Sequence, residues 1–156
     1  MMEVSYTEDL ILKLVEQFRT KKLSKEDWTH HAHLIVAVWH IKNYDFFEAV
    51  CRLKSGIILL NDFHQTENTS KSGYHETITI FWANAIKLYI SMFRELPLEQ
   101  LVNNFLTSNL SNKDILFKFY DRANLMTANL RTIYEAPMLK ELNELAVRDI
   151  LTENPH

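Results

Sequence analysis

The stretch "THHAHLIVAVWHIK", residues 29–42, decides the fold class. Its central run "LIVAVW", residues 34–39, is apolar on nearly every side when it is wound as a helix. Such a pattern is typical of a helix buried in the centre of a domain rather than lying on its surface. Thr29 is a suitable N-cap residue, so the stretch predicts a central helix from about His30 to Lys42.

Apolar residues at helical spacing predict further helices on both sides of this stretch. Thr7 and Asp45 are the expected N-caps of the neighbouring helices, and Phe47 is predicted to face inward from the third helix. A basic run, "RTKKLSKED", is expected to be a solvated connector between the first two helices. Besides the central helix, the predicted helices lie at about residues 8–18, 45–61, 74–94, 98–105, 112–134 and 138–145.

The composition agrees with a helical protein. The 156 residues include only two glycines and three prolines. Sandwiches, barrels and α/β folds need more turn-forming residues than this. We therefore predict an all-α fold, an antiparallel helical bundle of about six to seven helices, with residues 1–156 as a single domain.

Charge and hydropathy limit the partners that we expect. A net charge of −3 and a pI near 6.2 disfavour a nucleic-acid-binding protein, which normally has a basic surface. The first residues, "MMEVSYTEDL", do not resemble a signal peptide, and no apolar run is long enough to cross a bilayer. We predict a cytoplasmic protein that does not bind membranes, with the single cysteine, Cys51, buried in the core.

Two polar clusters indicate a site. His30 and His33 are three residues apart and lie side by side on a helix, and the second cluster is "SGYHETIT", residues 72–79. Short connections imply that the second and fourth helices run in the same direction, so both clusters should lie at one end of the bundle. We predict that His30, His33 and His75 bind Zn²⁺ or Fe²⁺, and that Glu76 is a further ligand or a catalytic base. The first hypothesis is thus a metal-binding helical protein that could be an enzyme acting on a small molecule.

The same residues allow two other hypotheses. Helix N-termini favour neutral imidazole and can also hold an anion, so the protein could be a non-catalytic module that binds a small anionic ligand. The third hypothesis is a structural or interaction protein in which the histidines only cap helices and fix loops. In the ligand-binding hypothesis the expected contacts, besides the histidines, are Tyr74, Thr79, Arg122 and Arg131.

Two motifs resemble a known family. "WTHHAHL", residues 28–34, and "GYHETIT", residues 73–79, are similar to a family of small uncharacterised bacterial proteins that pair W/F-x-H-x-x-H with Y-H-E-T-x-T. The likeness extends over residues 28–139 and includes "FYDRANLMTANLRTIYEAPML"; it departs where the family often has Pro-Asp and this chain has Pro137-Met138. It implies a site at these motifs but no particular reaction. The matching residues are His30, His33, Tyr74, His75, Glu76, Thr77, Thr79 and Arg131.

Overall fold

The computed structural model describes residues 5–153, and every regular element in that range is helical. The all-α prediction is therefore confirmed. Residues 1–4 and 154–156 are outside the described range. The helices are α1 (Glu8–Arg19), α2 (His30–Asn43), α3 (Phe46–Phe63), α4 (Glu76–Met92), α5 (Leu98–Thr107), α6 (Leu116–Phe119), α7 (Arg122–Leu125), α8 (Ala128–Thr132) and α9 (Glu144–Thr152), with 3₁₀ turns at Asn109–Ser111 and Lys113–Ile115.

The helices begin where the cap residues predict. The Thr7 hydroxyl accepts a hydrogen bond from the Leu10 N–H at 3.2 Å, and the Thr29 hydroxyl accepts one from the Ala32 N–H at 3.1 Å. Asp45 caps α3 in the same way. Each cap satisfies one of the N–H groups that the first turn of a helix leaves without a partner.

The central position of α2 is confirmed. Ile35 and Val36 are completely buried, and Leu34 and Val38 are at most 2% exposed. The helix contacts α1, α3, α4 and α5. An apolar run without a polar face can be buried on all sides, and this accounts for the number of neighbouring helices. Along the part of the chain that the structure describes, no helix is both long and apolar enough to cross a membrane.

The predicted long helix at residues 112–134 is wrong. This segment is divided into a 3₁₀ turn and the short helices α6, α7 and α8, which is why the described residues contain more than the predicted six to seven helices. Asn112, Asp121 and Thr127 each accept a hydrogen bond from a backbone N–H two or three residues further on, and each therefore starts a new turn or helix. The predicted helix at residues 138–145 is also wrong, because Asn143 caps a helix that begins at Glu144.

Two predictions about the core are wrong as well. Phe47 is 77% exposed, and Cys51 is exposed rather than buried. The inward face of α3 is set by Ala49 and Leu53, which are buried and four residues apart. Residues two positions from an inward-facing residue lie on the opposite side of a helix, so both Phe47 and Cys51 face outward.

One glycine allows α1 and α3 to approach closely. A Cβ atom built on Gly56 would lie 2.3 Å from the ring of Phe18, a distance that real Cβ atoms do not tolerate. Phe18 therefore packs directly on the backbone of α3 at this point. Its ring also stacks on Trp28, with the centroids 5.3 Å apart.

Candidate functional site

A pocket of about 330 Å³ lies among α2, α3 and α4. Its aliphatic walls come from all three helices, including Leu34, Leu53 and Ile78. The first turns of α2 and α4 both contribute to it. The aromatic and polar side chains of the lining are Trp28, His30, His33, Thr79 and Trp82.

His33 is held against the wall of this pocket by stacking and by one hydrogen bond. Its ring lies 3.6 Å from the ring of Trp28, measured between centroids, with an angle of 28° between the planes. Nδ1 lies 2.8 Å from the carbonyl oxygen of Thr29. Because a carbonyl can only accept, Nδ1 carries the proton, and Nε2 of the neutral ring is an acceptor without a partner among the described residues.

Burial keeps His33 neutral. It lowers the pKa of His33 from 6.5 to about 4, and the nearby His30 acts in the same direction. The hydrogen bond to Thr29 opposes this shift without cancelling it. At neutral pH the ring therefore presents a lone pair at Nε2 and no charge.

His30 also has one ring nitrogen that is an acceptor without a partner among the described residues, but its ring is the opposite tautomer. Its Nε2 lies 2.7 Å from the carbonyl oxygen of Ser111, so Nε2 donates and Nδ1 is left as an acceptor. This bond ties the start of α2 to the 3₁₀ turn after α5. Burial lowers the pKa of His30, with smaller effects from His31 and Lys113. The edge of Trp82 contacts the His30 ring at 5.6 Å between centroids.

A further polar group in the wall has no partner. The indole N–H of Trp28 is buried and makes no hydrogen bond within residues 5–153. A buried donor in this state costs about 1–3 kcal/mol unless another group accepts from it. The residues that line the pocket thus include two imidazoles, each with one nitrogen without a partner among the described residues, and an indole whose N–H is buried and unpaired.

His75 does not join His30 and His33. Its Nδ1 accepts a hydrogen bond from the Ile78 N–H at 3.2 Å, and its Nε2 donates to the carbonyl oxygen of Leu125 at 3.0 Å. Both ring nitrogens are therefore engaged, and His75 is not part of the pocket lining. Burial lowers the pKa of His75, with a smaller effect from Arg131.

The predicted set of three histidine ligands is therefore not assembled. Within residues 5–153, no group of three or more histidine, cysteine, aspartate or glutamate side chains is arranged to hold a metal ion. Sequence spacing placed His75 at the first turn of α4, but there its ring caps the helix and binds a distant carbonyl. Of the histidine, cysteine, aspartate and glutamate side chains that the structure describes, only His30 and His33 line the pocket and could bind a metal there.

Glu76 is held by two partners, and it is not among the residues that line the pocket. One carboxylate oxygen binds Lys54 Nζ at 2.7 Å, and the other accepts a hydrogen bond from the Tyr74 hydroxyl at 2.7 Å. Burial, reinforced by Glu76, raises the pKa of Tyr74. Thr79 lines the pocket, and its hydroxyl donates to the carbonyl oxygen of His75 at 2.8 Å. Neither Glu76 nor Tyr74 lines the pocket.

The two predicted arginines lie on separate short helices. Arg131 in α8 lines a different cavity, of about 480 Å³, together with Tyr74. Arg122 in α7 is exposed, and its guanidinium lies 3.8 Å from the centroid of the Phe117 ring. Both were expected on the single long helix predicted at residues 112–134, which the structure divides into shorter ones. The structure does not bring either to the pocket of His30 and His33.

Sequence reasoning missed two residues that matter here. Lys54 neutralises Glu76, and a lysine next to the inward-facing Leu53 could have signalled a buried acidic partner. The Ser111 carbonyl orients His30, and no local pattern could have indicated it because 81 residues separate the two.

The chain was compared with protein-family models, with curated proteins and with solved structures, and none of the three comparisons found a match. The resemblance to a bacterial family therefore stays a prediction.

Proposed function

We propose that the protein is a small-molecule-binding module whose ligand occupies the pocket among α2, α3 and α4. The observation that carries the proposal is the pair of neutral imidazoles, each with one nitrogen bound to a carbonyl and the other without a partner. Two acceptors on a surface of tryptophan and aliphatic side chains suit a flat, mostly apolar molecule with a hydrogen-bond donor. This ligand differs from the anion that the helix N-termini alone suggested.

Binding accounts for the site better than catalysis by these histidines. A general base works best when its pKa lies near the working pH. The pKa of His33, about 4, makes it a weak base at neutral pH but leaves it a good acceptor. Glu76, the other candidate base, is paired with Lys54 and Tyr74 outside the pocket. We therefore favour the non-catalytic hypothesis.

The metal hypothesis retains one supporting observation. Neutral imidazole is the form that binds Zn²⁺ or Fe²⁺, and His30 and His33 both have it. Protein sites for these metals normally use at least three side chains, and the described residues offer no third one. An organic ligand needs no third group, and this is the reason for preferring it.

We also propose that consecutive helices among α2, α3 and α4 run antiparallel, so that α2 and α4 run in the same direction, as the sequence predicted. Only Tyr44 and Asp45 separate α2 from α3, and so short a connection favours an antiparallel pair. The lining of one pocket by the first turns of both α2 and α4 supports a parallel relation between these two helices.

Calorimetric titration with indole and with 1-methylindole tests the proposed ligand chemistry. Both rings are flat and apolar, but only indole has an N–H to donate to an imidazole nitrogen. We expect indole to bind more tightly than 1-methylindole by about threefold to tenfold, the ratio that one neutral hydrogen bond supplies. Equal affinity, or no binding of indole, would overturn the proposal.

Two variants and a metal control complete the experiment. His33→Leu should weaken indole binding, whereas His31→Leu, at an exposed position of the same turn, should leave it unchanged. Zn²⁺ and Fe²⁺ are titrated into untagged, EDTA-treated protein in parallel. Saturable metal binding that His33→Leu abolishes, without indole binding, would favour the metal hypothesis instead.

A further inference from the structure

A second cavity lies at the opposite end of α2, between α1 and α3. The lining of this α1–α3 groove, of about 410 Å³, includes Arg19, Lys21, His40, Cys51, Arg52 and Ser55. It shares no lining residue with the pocket of His30 and His33. The absence of a side chain at Gly56 lets Phe18 pack on α3 and form part of the groove.

The charge of the groove is positive. It is lined by three cationic side chains and by no acidic one. Arg52 donates two hydrogen bonds to one oxygen of Glu48 through Nε and Nη2, and its guanidinium lies 4.4 Å from the centroid of the Tyr44 ring. Its Nη1 makes no hydrogen bond among the described residues. Arg19 lies over the Trp39 ring at 5.5 Å, and within residues 5–153 neither it nor Lys21 forms an ion pair. The chain as a whole has a net charge of −3, so this is a local concentration of positive charge.

A buried histidine completes the groove. His40 is only 2% exposed, and its Nδ1 lies 2.7 Å from the carbonyl oxygen of Val36, so Nδ1 donates. Its Nε2 makes no hydrogen bond among the described residues. Burial lowers the pKa of His40, and the charges of Arg19 and Arg52 act in the same direction. The neutral ring thus presents an acceptor lone pair in a wall that is otherwise cationic.

From this combination we propose that the α1–α3 groove binds a small oxyanion that carries its own proton, such as hydrogen phosphate. The arginine and lysine side chains bind the charged oxygens, and the Ser55 hydroxyl adds a further donor. The P–OH of the ligand donates to Nε2 of His40. A fully deprotonated anion has no hydrogen to offer there and places a lone pair against a lone pair.

The single cysteine of the chain provides the measurement. Cys51 is exposed and lines the groove, so iodoacetamide, which is uncharged, can report on its occupancy. The rate of Cys51 alkylation is measured at fixed neutral pH against increasing inorganic phosphate, with chloride holding the ionic strength constant because salt screens such charges. We expect a saturable decrease in rate with phosphate. A rate that does not change would overturn the proposal.

Sulfate separates the role of His40 from that of charge alone. Sulfate has the shape and charge of hydrogen phosphate but no proton at neutral pH. We expect sulfate to require about tenfold or higher concentrations for the same protection, since the lost hydrogen bond is replaced by a repulsive contact. Equal protection by the two anions would overturn the proposed role of Nε2.

Matched arginine variants locate the bound anion. Arg52→Gln should raise the phosphate concentration for half-protection about tenfold, because one charge-assisted contact is lost. Arg94→Gln removes the same charge at an exposed position outside the groove and should change nothing. Loss of the exposed Arg52–Glu48 pair costs little stability, which urea melts of both variants check. A shift that is the same in both variants would contradict the proposed location.

Discussion

With their cap residues included, the N-termini of α2 and α4 both combine histidine and threonine, yet their side chains bind different partners. In α4, His75 and Thr77 are at most 8% exposed, and each donates to a carbonyl more than 45 residues away in the chain. In α2, His30 and His33 each use one ring nitrogen and leave the other without a partner among the described residues. Histidine spacing therefore locates a polar cluster but does not show whether the hydrogen-bonding groups of that cluster already have partners.

The partners of the α4 cluster explain why it is engaged. The carbonyls of Leu125 and Leu130 belong to the ends of α7 and α8. The last carbonyls of a helix have no partner within it, and two helices of four and five residues consist almost entirely of ends. His75 and Thr77 supply the missing donors and so fasten the segment of short helices to α4.

The largest expected effect is the difference between His75→Leu and His33→Leu. The first change strands the Ile78 N–H and the Leu125 carbonyl, and should lower the free energy of unfolding by about 2–3 kcal/mol. The second strands little, because the Thr29 carbonyl also accepts from the His33 backbone N–H, and should cost less than about 1 kcal/mol. Urea melts at pH 7.5 measure both. Equal losses would contradict the conclusion that only the α4 cluster depends on the hydrogen bonds of its histidine.

The next prediction concerns the pH dependence that His33 contributes. Above pH 6.5 its ring is neutral in both folded and unfolded protein. Between pH 6.5 and about 4 the unfolded chain binds a proton that the folded protein does not, so the free energy of unfolding falls as the pH falls. One such group contributes at most about 1.4 kcal/mol per pH unit, and the fall ends below pH 4.

His33→Leu isolates this contribution. The variant should lose stability less steeply than the wild type over the same pH range, although His30, His40 and His75 still contribute. His31→Leu, at an exposed position, should follow the wild type. The readout is a series of urea melts from pH 7.5 to 4. If the free energy of unfolding falls equally steeply with pH in His33→Leu and in the wild type, His33 is not held neutral in the folded protein. The proposed difference between the two clusters would then be wrong.

Local patterns predicted the parts of the fold that depend on local physics. The apolar run at residues 34–39 predicted the buried α2, and Thr7, Thr29 and Asp45 predicted three helix starts. The division of residues 112–134 also had a local signal, since Asn112, Asp121 and Thr127 are all residue types that cap helices.

The candidate site was less predictable because its geometry depends on distant partners. His30 and His33 were predicted to belong to a site, and they do line one pocket. His75 was predicted to be a metal ligand, but its Nε2 binds the carbonyl oxygen of Leu125, 50 residues away in the chain. Cys51 was misplaced for a different reason, since the apolar neighbours in sequence of a helical residue lie on other faces of the helix.

The smallest expected effect compares the two threonines of α4, Thr77 and Thr79, by replacing each with valine. The Thr77 hydroxyl is completely buried, lies 2.6 Å from the Leu130 carbonyl oxygen and accepts from the Glu135 N–H at 3.3 Å. Thr77→Val strands both groups and should cost about 1–2 kcal/mol. The Thr79 hydroxyl donates to the His75 carbonyl, which the Thr79 backbone N–H already binds at 3.1 Å. It also contacts the Tyr74 hydroxyl, which is held by Glu76 as well. Thr79→Val should therefore change the free energy of unfolding by less than about 0.5 kcal/mol, because no buried group loses its last partner.

Valine has nearly the volume of threonine, so urea melts of the two variants compare hydroxyl groups rather than packing. A larger loss for Thr79→Val than for Thr77→Val would show that the pocket side of α4, and not the side that binds the short helices, holds the essential hydrogen bonds.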